Sequence, residues 1–166
     1  DGINLDIKKY HVAAYTLVES AASPVFAMGA NNAKTSTLQL ADFLKQGVLF
    51  ATYMGHGGAT SLSKRLVWTR NDVLSTPLPR LPIMTLAACD IANFDSNTRG
   101  IGEYMVITPG HGAIGIFTTT RTVEATENDF INRAFIQALF TKNSDGSFRR
   151  LGDAYKTAKH AYGNTS

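Results

Sequence analysis

Two uninterrupted apolar runs, Val48-Leu49-Phe50-Ala51-Thr52-Tyr53 and Leu81-Pro82-Ile83-Met84-Thr85-Leu86-Ala87-Ala88, constrain this chain more than any other feature. Neither shows the polar alternation of a strand wetted on one face, so both are expected to be parallel strands covered by helices on each side. Each ends in residues suited to chemistry: Gly55-His56-Gly57-Gly58 after the first, Cys89-Asp90 after the second. Ligands of open parallel sheets bind beyond the carboxyl ends of the strands. His56 and Cys89, the only thiol in the chain, are therefore expected to meet on one rim.

The remaining segments supply the crossovers. A strand is expected near Tyr10 to Val18 and a loop from Ser20 to Asn32. A helix capped by Thr35 or Ser36 follows, carrying Leu38, Leu40, Ala41, Phe43 and Leu44 inward and stopped by Gly47. After the polar stretch Ala59 to Arg65 comes a short helix capped by Thr69 or Asn71, and the whole loop between His56 and that helix reads as a substrate-facing lid. Pro77, Pro79 and Pro82 stop any helix from running into the second apolar run. Asn97 or Thr98 should cap a helix over about 99–106, before a strand over 113–118. An amphipathic helix over 127–140 and a last helix over 151–162 complete the pattern. Strands alternating with helices predict a mostly parallel α/β sheet sandwiched by helices, with right-handed crossovers. At 166 residues and 44% hydrophobic content the chain is expected to form one domain, residues 1–166. Four strands are few for such a sheet, and the first begins almost at residue 1. The chain also starts at Asp1 without an initiator Met. It is thus expected to be the C-terminal part of a larger catalytic domain, with further strands upstream.

Several function classes are disfavoured. The net charge of +3 is mild, and the basic runs are only the pairs Lys8-Lys9, Lys64-Arg65 and Arg149-Arg150. Nucleic acid is therefore not an expected partner, because phosphate binding calls for a clustered basic face. No apolar stretch approaches the roughly 20 residues that span a bilayer. One cysteine permits neither an intrachain disulfide nor a thiolate-rich zinc site. His56, Asp90 and Asp95 lack the paired spacing of a metal site. No cofactor is called for, and structural calcium is left open.

Four histidines compete for the role of base, and both His56 and His111 lie between glycines. Position along the strands separates them: His56 follows its strand, whereas His111 precedes the strand 113–118 and falls on the opposite rim. His11 lies in or beside a strand and His160 in a terminal helix. An ordinary thiol, with a pKa of about 8.5, is only a few per cent thiolate at neutral pH, and a neighbouring imidazole supplies the missing base. The backbone amides of Gly57 and Cys89 could hold a carbonyl oxygen as it becomes an oxyanion. Gly58, Trp68 and Asp90 are the substrate-groove candidates, with the loops 59–68, 90–98 and 119–126 as its walls. The plainer reading makes Cys89 a small buried hydrophobe and the two glycines a tight turn.

The strand-His-Gly and strand-Ala-Cys pattern, and the 33-residue interval between His56 and Cys89 (89 − 56), resemble the gingipain-like cysteine peptidases of the caspase clan. Tyr53-Met54-Gly55-His56-Gly57-Gly58, Cys89 to Asp95, Gly112 to Arg121 and Asn132-Arg133-Ala134-Phe135 are similar to the branch that serves the Bacteroidetes type IX secretion system. The likeness runs from about Leu5 to Tyr162. It implies a caspase-like α/β fold, a Cys89/His56 dyad and a parent protein on the outer membrane surface, with secretion-system components as partners. The substrate would be a protein or peptide: such an enzyme removes a C-terminal sorting domain from cargo and passes the acyl group to an amine. The family often carries an aromatic soon after Gly-Gly, where this chain has Leu62 and a later Trp68. Two other readings compete: an endopeptidase that hands the acyl group to water, and a catalytically silent caspase-like binding module.

Overall fold

The computed structural model describes residues 10–13, 16–19, 26–27 and 32–163, with side chains from Thr37 onward. Strands β1 (Tyr10–Ala13), β2 (Thr16–Glu19) and β3 (Phe26–Ala27) form an antiparallel sheet in that order. The single strand expected over Tyr10 to Val18 is therefore two strands running in opposite directions, outside the parallel sheet. Ala14-Tyr15 between them carries none of the Gly, Pro, Asn or Asp residues that announce a reversal. The loop expected over 20–32 likewise contains β3.

Helix α1 (Asn32–Lys45) begins ahead of the expected caps and buries Ala41 and Leu44. It leads into β4 (Phe50–Met54). The stretch expected to be a lid is instead a small antiparallel sheet, β5 (Gly57–Gly58), β6 (Ser61–Leu62) and β7 (Trp68–Thr69). Ser61, Leu62, Val67 and Trp68 are buried in it. Helix α2 (Arg70–Ser75) is capped by Thr69, whose hydroxyl accepts from Asp72 N–H while the Asp72 carboxylate accepts from Thr69 N–H at 2.7 Å.

Strand β8 (Ile83–Ala87) is followed by α3 (Ile101–Ile107), β9 (Gly115–Thr118), α4 (Ala125–Phe140) and α5 (Leu151–Gly163). The cap of α3 is Gly100, not Asn97 or Thr98. Carbonyls from neighbouring loops replace a side-chain cap: Ile101 N–H donates to Ala59 O at 2.7 Å and Gly102 N–H to Ile91 O at 3.0 Å. The start of α3 thereby pins the loops that follow β4 and β8.

The parallel sheet has the order β4-β8-β9. Alternate residues of β8 face opposite sides, as strand pleating requires. Met84 and Leu86 join Ala41, Leu44, Val73, Ile101 and Met105 in a core beneath α1, α2 and α3. On the other face Phe50 and Phe117 pack against Phe135, Ala138, Ala154 and Ala158 of α4 and α5. Thr85 and Thr52 form a polar contact on the sheet, hydroxyl to hydroxyl at 2.7 Å, and Asn132 of α4 donates to the same Thr52 hydroxyl at 3.4 Å.

Candidate active site

Strands β4 and β8 pair with a constant offset of 33 residues, from Phe50 opposite Ile83 to Met54 opposite Ala87. The same 33 residues separate His56 from Cys89. The ladder runs one step beyond the strands, because Gly55 N–H donates to Ala87 O at 3.2 Å. His56 and Cys89 thus both follow the carboxyl ends of two adjacent parallel strands. The turn after His56 also rests directly on the cysteine segment. A Cβ built on Gly57 would lie 2.7 Å from Ala88 Cβ, 2.8 Å from Ile91 Cδ1 and 3.1 Å from the Cys89 carbonyl oxygen, so only glycine permits this approach.

The His56 side chain is exposed, and its carbonyl is held twice. The Tyr53 hydroxyl donates to it at 2.7 Å and Ser63 N–H at 2.8 Å. The Ser63 bond makes Gly57 and Leu62, which face one another across β5 and β6, a non-hydrogen-bonded pair. Gly57 N–H is accordingly turned away from β6 and stays out of its ladder. Burial pushes the Tyr53 phenol up to about 12, with Ser63 N–H pulling it partly back.

Cys89 is half-buried, with its Sγ 3.8 Å from the Val123 carbonyl oxygen. Its own N–H has no hydrogen-bond partner among the described residues. The segment after β9 wraps the segment after β8: Thr119 Oγ1 donates to Ala88 O at 2.5 Å, Ala92 N–H to Thr119 O at 3.0 Å and Asp90 N–H to Arg121 O at 3.3 Å. Arg121 forms an ion pair with Asp95. Asp90 adopts φ +57°, a left-handed conformation that Asp tolerates better than most residues, and so turns the chain sharply just past Cys89.

The groove candidates divide. Gly58 faces open space, and half-buried Asp90 accepts a hydrogen bond from Thr122 Oγ1 at 3.3 Å. Trp68 lines no groove: it is 3% exposed, opposite Leu62 across β6 and β7, inside the core. His111 lies ahead of β9, at the amino end of the sheet, with Nδ1 2.8 Å from Pro109 O. His160 is in α5 and His11 in β1. Beside the cysteine segment, a cavity of about 180 Å³ opens between the sheet and α4, lined by Ala87, Phe117, Thr119, Val123 and Tyr155 among others. One acid, Glu127, reaches this lining, and it accepts a hydrogen bond from Tyr162, which raises that phenol above its ordinary range.

Reasoning from the sequence missed Tyr53 as part of the site, and placed Thr119 and Val123 only in the wall loop 119–126, without their contacts to Ala88 and Cys89. The Thr118-Thr119-Thr120 run after a buried strand was a usable signal, since such hydroxyls bond neighbouring backbone. Among the described residues no group of three His, Cys, Asp or Glu could hold a metal ion, and no helix is long and apolar enough to cross a membrane.

Residues 3–166 match the model of peptidase family C25. No individually curated protein matches the chain. Among solved structures it is similar to the Arg-specific cysteine proteinase gingipain R, at 18% identity and a TM-score of 0.67, over 78% of this chain. It is also similar to the complex of Porphyromonas gingivalis RgpB pro- and mature domains, at 19% identity and a TM-score of 0.67, over 77% of this chain. The chain spans 31% of the length of each. At these identities the likeness shows the fold, a caspase-like α/β arrangement of the gingipain type.

Proposed function

Because the chain belongs to peptidase family C25, we propose that it is a cysteine peptidase with Cys89 as nucleophile and His56 as base. The observation that carries this reading is the shared offset: the β4–β8 register and the His56–Cys89 interval are the same 33 residues. In the proposed reaction the thiol proton passes to the His56 imidazole as Sγ bonds to the scissile carbonyl carbon. The carbonyl electron pair moves to oxygen, and the N–H groups of Gly57 and Cys89 receive the oxyanion. Collapse restores the carbonyl, breaks the C–N bond and returns the proton to the departing amine, leaving a thioester on Cys89. Water or a second amine then attacks that thioester, giving up its proton to His56 and releasing the thiol. No cofactor takes part, and a structural calcium ion is not needed by these steps.

At finer grain we assign the chain to a PorU-type enzyme, the signal peptidase and sortase of type IX secretion. Its substrate would be the C-terminal sorting domain of a cargo protein at the outer membrane surface, with secretion-system components nearby. Besides the motifs, one observation favours this over a gingipain-type endopeptidase. The cavity that reaches Val123, whose carbonyl faces Cys89 Sγ, is lined mainly by apolar groups, and the one acid in it is already engaged by Tyr162. Such a pocket would select weakly for Arg or Lys at the cleavage point.

The test uses the full-length protein with a cargo substrate. Iodoacetamide should label Cys89, His56→Ala should slow that labelling strongly, and Cys89→Ala should abolish processing without unfolding the protein. Mass spectrometry of cargo processed with an added amine acceptor should show a conjugated C-terminus. A free carboxylate under every condition, with cleavage confined to Arg or Lys, identifies the endopeptidase. Labelling at the rate of an ordinary exposed thiol, indifferent to His56→Ala, identifies a silent binding module.

A further inference from the structure

The peptide that joins His56 to Gly57 has both of its polar groups at this site. Its carbonyl oxygen receives the Tyr53 hydroxyl at 2.7 Å and Ser63 N–H at 2.8 Å, and its N–H, that of Gly57, is left out of the β5–β6 ladder. A peptide unit is planar and trans, so fixing the direction of its oxygen fixes the direction of its N–H on the other side. We propose that Tyr53 is the positioning residue of the oxyanion site, acting through the His56 carbonyl to aim Gly57 N–H at the reacting oxygen. This inference rests on the proposed Cys89/His56 chemistry and adds to it a residue that never touches substrate.

The surroundings are built for that contact. Gly55 has φ +155°, and a Cβ there would lie 2.9 Å from the Tyr53 hydroxyl and 3.3 Å from its Cζ, so the bend before His56 leaves room for the phenol only because residue 55 has no side chain. The Tyr53 ring packs against the core beneath α1 to α3, which anchors the donor to the rigid part of the fold. Hydrogen bonds received by the carbonyl also polarise the peptide and strengthen its N–H as a donor. Since burial holds the phenol near 12, the hydroxyl stays protonated and donating wherever a thiol peptidase works.

The experiment compares two reactions of Cys89 in the full-length protein, one that develops an oxyanion and one that does not. Tyr53→Phe removes the hydroxyl and keeps the ring. It should slow acylation by a peptide substrate about tenfold, through kcat with KM nearly unchanged, and weaken a peptidyl aldehyde to a similar degree. Alkylation by iodoacetamide, which forms no oxyanion, should stay within about twofold of the parent protein. Site-specific 3-fluorotyrosine at position 53 keeps the hydroxyl and should restore acylation; it also provides a folded comparison if Tyr53→Phe is unstable. Unchanged acylation in Tyr53→Phe, or acylation and alkylation falling by the same factor, overturns the inference. Cys89→Ala run in parallel keeps the outcomes apart: if it still processes cargo, the dyad itself is wrong, whatever Tyr53→Phe does.

Discussion

One methyl group at position 57 should separate folding from chemistry. Gly57→Ala would push a Cβ against Ala88, Ile91 and the Cys89 carbonyl, shifting the turn that carries the proposed oxyanion donor. Loss of such a donor costs about 10² to 10³ in turnover, while overpacking of this kind costs stability about 1–3 kcal/mol. Single-turnover acylation and thermal unfolding, measured side by side, should show a folded protein with a crippled first step. Gly152→Ala, in α5 with open space around it, serves as the control and should be nearly silent. At this scale the placement of His56 and Cys89 after adjacent strands was legible, because a residue just past a buried parallel strand has a known location. Tyr53 was not. Its hydroxyl partner is a backbone atom three residues on, and nothing in an apolar strand distinguishes an aromatic that packs from one that also holds a carbonyl.

Among the elements, the segment from β5 to β7 departed furthest from expectation. Its polar residues suggested a substrate-facing lid, yet Ser61, Leu62 and Trp68 are buried and paired. A composition reading averages over both faces of a hairpin. It cannot see that Leu62 and Trp68 meet until their register is known, which is why Trp68 looked like a groove residue. Trp68→Ala should therefore lower stability by about 3–5 kcal/mol, the range for truncating a buried large aromatic, and leave the preference for the cleaved residue unchanged. Denaturant unfolding together with a peptide-library profile would check both halves. The main strands and helices were legible to within a few residues because their apolar periodicity is strong. Boundaries failed where tertiary contacts decide them, as at α3, whose first N–H groups are satisfied by Ala59 and Ile91 carbonyls far away in sequence.

For the whole molecule, the order β4-β8-β9 leaves the outer side of β4 with no strand beside it among the described residues. Leu49 and Met54, at the two ends of that strand, are 60% and 47% exposed. An open strand edge flanked by apolar side chains is a template on which another chain can add its own strand. A charge at such an edge is the device natural sheets use against this, so Leu49→Lys, at the end of β4 remote from His56, should reduce self-association of the 166-residue chain without altering its fold. Light scattering during a concentration series and circular dichroism would measure the two effects. The strand that aligns the site through its inner edge on β8 is thus also adhesive along its outer edge. The handling of the chain in solution, its yield and its tendency to form aggregates should be governed by the unpaired outer row of β4 peptide groups, with its flanking apolar side chains, rather than by the chemistry at the rim.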